Sequence, residues 1–98
     1  MALHQVTLTM TGSAVQASAT SVPFSYMRIE NEASNAIVKY GLSTVTSTDY
    51  AGSVLADTTT INNSVIIGPM PQPGCMNLLE FYFLGTNSQK IHLTVITN

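Results

Sequence analysis

The feature that most constrains the fold of this chain is an alternation of apolar and polar residues, which recurs in short runs from end to end. Residues 3–10 place Val6, Leu8 and Met10 on one side and threonines on the other, and residues 90–97 repeat the pattern. Alternate side chains of a β-strand point to opposite faces, whereas a helix would repeat about every 3.6 residues. No sustained helical repeat occurs, so the sequence predicts an all-β protein.

Turn-forming residues divide the chain into about seven or eight such runs. Gly12, Gly41 and the segment 68–74, which holds three of the four prolines, interrupt the alternation. Short strands with turns every roughly 8–12 residues are typical of β-sandwiches, and long connections beside short ones favour a jelly-roll-like order. Because 98 residues suffice for one core, we expect a single β-sandwich domain spanning 1–98.

Two of the runs, residues 24–30 and 36–40, flank the polar stretch 31–35. This spacing predicts a β-hairpin, with Tyr26 and Tyr40 as cross-strand neighbours. Within 24–30, strict alternation would place Phe24 on the same face as Tyr26.

Charge concentrates at the closed end of this predicted hairpin, in Arg28, Glu30 and Glu32. On a strand these three side chains share a face, so an ion pair between Arg28 and one carboxylate is one interpretation, and a contact with a neighbouring subunit is another. We expect Asn35 to adopt a left-handed backbone conformation and Asn31 to hydrogen-bond within the turn.

Three further segments carry predictions. Residues 43–47 predict a short edge strand, and 49–60 predict a long polar connection. Residues 77–84, apolar on both faces, predict one central strand.

Composition excludes several classes of partner. Charged residues make up only 8% of the chain, against a usual value of about 25%, and the net charge is −2. Three cations far apart make no basic patch for nucleic acid, and no apolar run reaches the 18 or so residues of a membrane span. The first ten residues lack the pattern of a signal peptide, and the lone Cys75 suits either a reducing compartment or a protein indifferent to redox conditions.

Residues that could carry chemistry are few. His4 and His92 could be neighbours if the terminal strands pair, but a zinc site needs three or four ligands. Cys75 follows a Pro-Gly pair and precedes an apolar run, which favours a small semi-buried residue over a nucleophile. Glu30 and Glu32 are neighbours rather than opposed carboxylates across a cleft. We therefore expect no enzyme, no metal and no cofactor.

Several short motifs follow one another in a recognisable order: Gly12-Ser13, Pro23, Ile-x-Asn at 29–31, Ser34-Asn35-Ala36, Val-x-Tyr-Gly at 38–41, Gly68-Pro69, and Asn77-Leu78 followed by Tyr82. In this order the chain resembles the small jelly-roll decoration or cement proteins of tailed bacteriophage capsids and related small virion β-sandwiches. The resemblance implies a structural protein, made in the host cytoplasm, that sits on the capsid surface. It implies a symmetric homo-oligomer, a trimer, that bridges neighbouring subunits of the major capsid protein.

The residue pattern and the resemblance together indicate which residues contact a neighbouring subunit. They are the charged group and the second face of the apolar run: Arg28, Glu30, Glu32, Leu78, Tyr82 and Leu84. The alternative is a carbohydrate- or receptor-binding β-sandwich from a phage fibre or tail appendage. That alternative predicts an exposed aromatic, Tyr50, beside Asn or Asp side chains in a loop groove.

Overall fold

The computed structural model describes residues 2–70 and 76–97, so the predicted semi-buried Cys75 lies outside the described residues. These residues form nine β-strands and one three-residue 3-10 helix, which confirms the all-β prediction. None of the described helical residues forms a stretch long and apolar enough to cross a membrane. The strands are β1 (Ala2–Thr9), β2 (Val15–Gln16), β3 (Pro23–Asn31), β4 (Val38–Gly41), β5 (Gly52–Val54), β6 (Ser64–Ile67), β7 (Met76–Asn77), β8 (Tyr82–Leu84) and β9 (Lys90–Thr97).

The strands form two antiparallel sheets with the order of a jelly roll. Sheet I runs β1-β9-β3-β6, with β7 pairing with the start of β3, and sheet II runs β2-β8-β4-β5. Apart from β7, the strands pair outermost with outermost: β1 with β9, β2 with β8, β3 with β6, and β4 with β5. This nesting is a long hairpin folded over on itself, which is the jelly-roll form of the β-sandwich.

The core lies between the sheets and is filled by the inward faces of both. In β9, Ile91, Leu93 and Val95 are all buried, as the alternation predicted. Two pairs of aromatic rings pack in or against this core: Phe24 of β3 lies 5.6 Å from Phe81, and Tyr40 of β4 lies 6.3 Å from Phe83 of β8, measured between ring centroids.

The hairpin predicted across residues 31–35 is wrong. β3 belongs to sheet I and β4 to sheet II, so the segment between them crosses from one sheet to the other. Tyr26 accordingly lies opposite Ile96 and Tyr40 opposite Phe83. A polar linker between two alternating runs suits a hairpin and a sheet-to-sheet crossing equally well, because the alternation shows which face is buried but not which strand lies alongside.

The strand predicted at 43–47 is also wrong. The strand that forms in this part of the chain is β5, and it lies within the segment 49–60, which was predicted to be a long polar connection. A hydroxyl closes the turn instead: Thr46 Oγ1 accepts hydrogen bonds from the backbone N–H of Thr48 and of Asp49, at 3.3 and 2.9 Å. Local bonds of this kind compete with strand pairing.

The apolar run 77–84 is broken rather than continuous. The side chain of Asn77 accepts a hydrogen bond from the backbone N–H of Leu79 and so begins the 3-10 helix Leu78–Glu80. Only β8 remains as a strand, and it does hold an inner position, between β2 and β4.

The alternation of β3 is interrupted near its start. The pairing register of β3 with β9 shifts between Phe24 and Tyr26. Phe24 therefore lies in the core with Met27 and Ile29, whereas strict alternation predicted that it would share a face with Tyr26.

Candidate functional site

The outer face of sheet I carries the charged group that the sequence singled out. The register of the strands places Thr7, His92 and Glu30 in one row across β1, β9 and β3. Arg28 lies one row further along the same face, opposite Thr94. We call Thr7, Arg28, Glu30, Glu32 and His92 the polar face of sheet I.

Arg28 and Glu30 form an ion pair along β3. The distance between Arg28 Nη1 and Glu30 Oε1 is 3.2 Å, and the two side chains are 34% and 25% exposed. The structure thus confirms one of the two interpretations of the cluster, a pair along the strand face. Such a partly exposed pair stabilises a fold by at most about 1 kcal/mol.

Glu32 makes a different contact, which the sequence did not predict. Glu32 Oε2 lies 2.5 Å from His92 Nε2, and the other ring nitrogen, Nδ1, lies 3.2 Å from Thr7 Oγ1. A hydroxyl, an imidazole and a carboxylate from three separate segments are thereby linked in a row. The only sequence signal for this contact was the possibility that the terminal strands pair. They do pair, but the register places His4 opposite Val95, away from His92.

The order hydroxyl–imidazole–carboxylate is that of a nucleophilic relay, so its surroundings matter. Acyl transfer also requires donors that converge on the developing oxyanion. The hollow beside Thr7 is lined by Gln5, Glu30, His92 and Thr94 among its polar residues, and the Glu30 carboxylate there would oppose negative charge on a reacting group. The row therefore fits a cross-strand structural contact better than a reaction centre. Among the described residues, no three His, Cys, Asp or Glu side chains lie close enough together to hold a metal ion.

The outer side of sheet II carries an apolar hollow. Leu42, which is 65% exposed, and Leu79, which is 36% exposed, line it together with Tyr82. A second depression, lined by Met76 and Phe81, adjoins it at Leu42. We call this combined surface the apolar hollow.

Two of the predicted contact residues lie near this surface and a third does not. Tyr82 and Leu84 are half-buried and alternate with the buried Phe83 along β8. Leu78 is only 1% exposed, because the 3-10 helix turns its side chain into the core. Leu78 is therefore a core residue rather than a contact residue, and Leu79 takes its place at the surface.

A third surface surrounds Tyr50. The ring is 45% exposed and lines a hollow of about 220 Å³ with Thr44 and Asp49. Lys39 Nζ lies 4.3 Å from the ring centroid and donates a 2.6 Å hydrogen bond to the carbonyl of Ser47. The lysine thus ties the loop to β4 and leaves an exposed aromatic next to a carboxylate. We call this the Tyr50 hollow.

The sequence was also compared with known proteins. A scan against protein-family models finds no match, and searches among curated proteins and among solved structures find none.

Proposed function

We propose that this protein is a structural component of a virion, which assembles as a symmetric homo-oligomer on the capsid surface and cements neighbouring subunits of the major capsid protein. The proposal takes up the resemblance of its motifs to phage decoration proteins. A fold by itself does not imply a function, so the argument has to come from the surface.

The observation that carries the proposal is the large apolar exposure of an almost uncharged molecule. Large aliphatic side chains between 36% and 65% exposed are spread over the described surface: Leu3, Ile37, Leu42, Leu55, Ile61, Ile66 and Leu79. Soluble globular domains typically have about 25% charged residues, whereas this chain has 8%. A surface with this composition suits a protein that is largely covered by neighbours in its working state.

The jelly-roll order adds support at the level of architecture, since capsid and lectin domains are among the proteins built this way. The surfaces divide between two tasks in this proposal. The apolar hollow, with its exposed Leu42, contacts the shell, and the faces and edges of sheet I join copies of the protein to one another. Many weak contacts of this kind hold a decoration protein by avidity.

Two measurements test the proposal. Sedimentation velocity should show a homo-oligomer, and a trimer would match the resemblance. Co-sedimentation with shells assembled from the major capsid protein of the same virion should show saturable binding. Leu42→Lys should weaken that binding about tenfold or more, because the introduced ammonium group would be desolvated in the contact. A monomer that does not bind shells would overturn the proposal.

One observation favours a second function, the binding of a carbohydrate. The Tyr50 hollow combines an exposed ring with the Asp49 carboxylate and the Thr44 hydroxyl. Sugars bind in this way, with an apolar face on an aromatic ring and hydroxyls on polar side chains.

A glycan array separates the two functions. A carbohydrate-binding protein should give hits that Tyr50→Ala abolishes and that Tyr82→Ala, on the neighbouring surface, retains. An array without hits would remove this second function and leave the first unaffected.

A further inference from the structure

Among the described residues, each sheet ends in two edge strands, and those of sheet I are the longer ones. In sheet II the edge strands β2 and β5 have two and three residues. In sheet I the edge strands β1 and β6 have eight and four. A free edge presents unpaired N–H and C=O groups, and proteins usually protect long edges against pairing with another chain.

Neither edge of sheet I has the usual protection. The sequence of β1 is ALHQVTLT and that of β6 is SVII, so neither contains a Lys, Arg, Asp, Glu or Pro. No register shift interrupts the pairing of β1 with β9 or of β6 with β3. Charges, prolines and bulges are among the features that keep edge strands from associating, and both strands lack these three.

Each of these edges also displays one large aliphatic side chain on the outer face. Leu3 on β1 is 65% exposed and Ile66 on β6 is 54% exposed. The registers Leu3–Ile96–Tyr26 and Ile66–Arg28 place both side chains on the same face of sheet I. A neighbour added at either edge would cover one of them.

The inward faces of the two edge strands are incompletely covered as well. Val6 and Leu8 on β1, and Val65 and Ile67 on β6, pack against the core but remain only partly buried. With Leu3 of the next copy opposite Ile66, Ala2 and His4 lie opposite Ile67 and Val65, so the added strand covers these two β6 residues, because residues directly opposite in an antiparallel pair share a face.

The directions of β1 and β6 allow an antiparallel contact between two copies that point the same way. Each neighbouring pair across β1-β9-β3-β6 is antiparallel, so β1 and β6 run in opposite directions. Rotation about an axis along the strands would bring β1 of one copy beside β6 of the next in antiparallel orientation. Head-to-tail contacts of this type form a ring when the rotation between copies closes, and an open filament when it does not.

We propose that β1 of each copy pairs antiparallel with β6 of the next, so that sheet I continues through a closed ring of copies. The contact places Leu3 of one copy against Ile66 of its neighbour on the outer face. This inference rests on the proposed homo-oligomer and specifies how its copies join. Because neither strand contains Lys, Arg, Asp or Glu, the pairing brings no two of these charged residues together.

Complementary charge variants test this pairing. Leu3→Lys alone and Ile66→Glu alone should each raise the dissociation concentration, measured by sedimentation velocity, about a hundredfold, because each leaves an unpaired charge in the contact. The double variant should restore assembly, since the cation introduced on β1 of one copy then faces the carboxylate introduced on β6 of the next. The reversed pair, Leu3→Glu with Ile66→Lys, should repeat the pattern.

Matched controls lie on other surfaces. Leu42→Lys and Leu55→Glu alter side chains that are 65% and 55% exposed, close to the values for Leu3 and Ile66, and should leave the oligomer intact. Thermal unfolding of every variant checks that the fold is retained, which is expected because all four positions are exposed.

The outcomes separate this inference from the proposed function. An oligomer that both single variants leave unchanged would overturn the β1–β6 pairing and leave the proposed function standing. Single variants that dissociate the oligomer without rescue in the double variant would overturn the head-to-tail arrangement. A wild-type protein that is monomeric at every concentration would overturn the pairing and the homo-oligomer together.

Discussion

Asn31 holds the crossing between the two sheets in place. It is the only fully buried polar side chain among the residues the structure describes. Its Nδ2 donates to the carbonyls of Ala36 and Val54, at 2.8 and 3.2 Å, and its Oδ1 accepts from Asn35 Nδ2 at 2.9 Å. Buried amides that are satisfied in this way specify one arrangement of the chain around them.

Replacing Asn31 tests this role. Asn31→Ala should lower the free energy of unfolding by about 2–3 kcal/mol, because the buried carbonyl of Val54 and the Asn35 amide lose a partner. Urea unfolding measures the change. Asn62→Ala, at an exposed position, should change stability by less than about 0.5 kcal/mol. Equal effects of the two substitutions would contradict the role assigned to Asn31.

The residue-level prediction for the turn after β3 was partly right. Asn31 does bond within the turn, through the Ala36 carbonyl. The left-handed backbone lies at Ser34, with φ of 70°, rather than at Asn35. The Asn35 side chain is used instead to donate to Asn31 and to the Lys90 carbonyl. Neighbouring small polar residues compete for the same turn position, so sequence alone did not separate them.

Glu30 offers a residue-scale test of assembly. It lies opposite Ser64 of the edge strand β6 and is paired with Arg28, so Glu30→Lys would place two cations beside that edge. We expect the oligomer to dissociate about tenfold more readily, measured by sedimentation velocity, because the two cations no longer form a pair and must be partly desolvated when β1 of the next copy covers that edge. Glu80→Lys, in the exposed last residue of the 3-10 helix, is the control. Unchanged assembly would reduce the Arg28–Glu30 pair to an ordinary surface contact.

At the scale of elements, the ends of strands depend on backbone conformations that few residues adopt. Gly68 follows β6 directly and has φ of +102°, and a Cβ atom there would collide with the carbonyl oxygen of Ser25 on β3. Gly12 follows β1 with φ of +86° and has open space around the same position. Substitutions at the two glycines therefore distinguish the cost of backbone strain alone, at Gly12, from strain combined with a steric clash, at Gly68.

Alanine substitutions at these glycines should differ in cost. Gly12→Ala should destabilise by about 1 kcal/mol, the cost of the left-handed region for a residue with a side chain. Gly68→Ala should cost about 2–4 kcal/mol, because the collision with β3 adds to the strain. Thermal or urea unfolding compares them. A smaller loss at Gly68 than at Gly12 would show that β3 and the end of β6 do not approach as described.

For the run 77–84, the sequence was least informative about which secondary-structure elements form. Its hydrophobicity correctly indicated an inner strand, but Asn77 caps a 3-10 helix and leaves only β8 extended. The cap depends on a second contact, in which the backbone N–H of Val22, 55 residues earlier in the chain, also donates to Asn77 Oδ1 at 3.0 Å. A contact between such distant residues is set by the packed fold.

At the scale of the whole molecule, stability depends on a single core shared by two small sheets. Phe83 is fully buried and lies near Tyr40, whereas its neighbour Tyr82 faces outward and is half-buried. A domain of this size has roughly 5–15 kcal/mol of total stability, so one large core side chain accounts for a substantial part of it.

The contrast between these neighbours tests the two-layer arrangement. Phe83→Ala should lower the free energy of unfolding by about 3–5 kcal/mol through lost burial and the cavity that remains. Tyr82→Ala should cost less than about 1.5 kcal/mol, because its ring leaves no enclosed space. Denaturant unfolding gives both values. A larger loss for Tyr82 would mean that the faces of β8 are exchanged.

The sequence by itself determined the all-β class, the single sandwich and most of the inward-facing residues of β1 and β9. It could do so because the period of two is a local property of the extended backbone. Only the tertiary structure decided that β3 and β4 lie in different sheets, that Thr7 and Glu32 meet His92, and that β1 and β6 form the edges of sheet I. Backbone hydrogen bonds are alike for any pair of strands, so partner and register follow from packing the whole core at once.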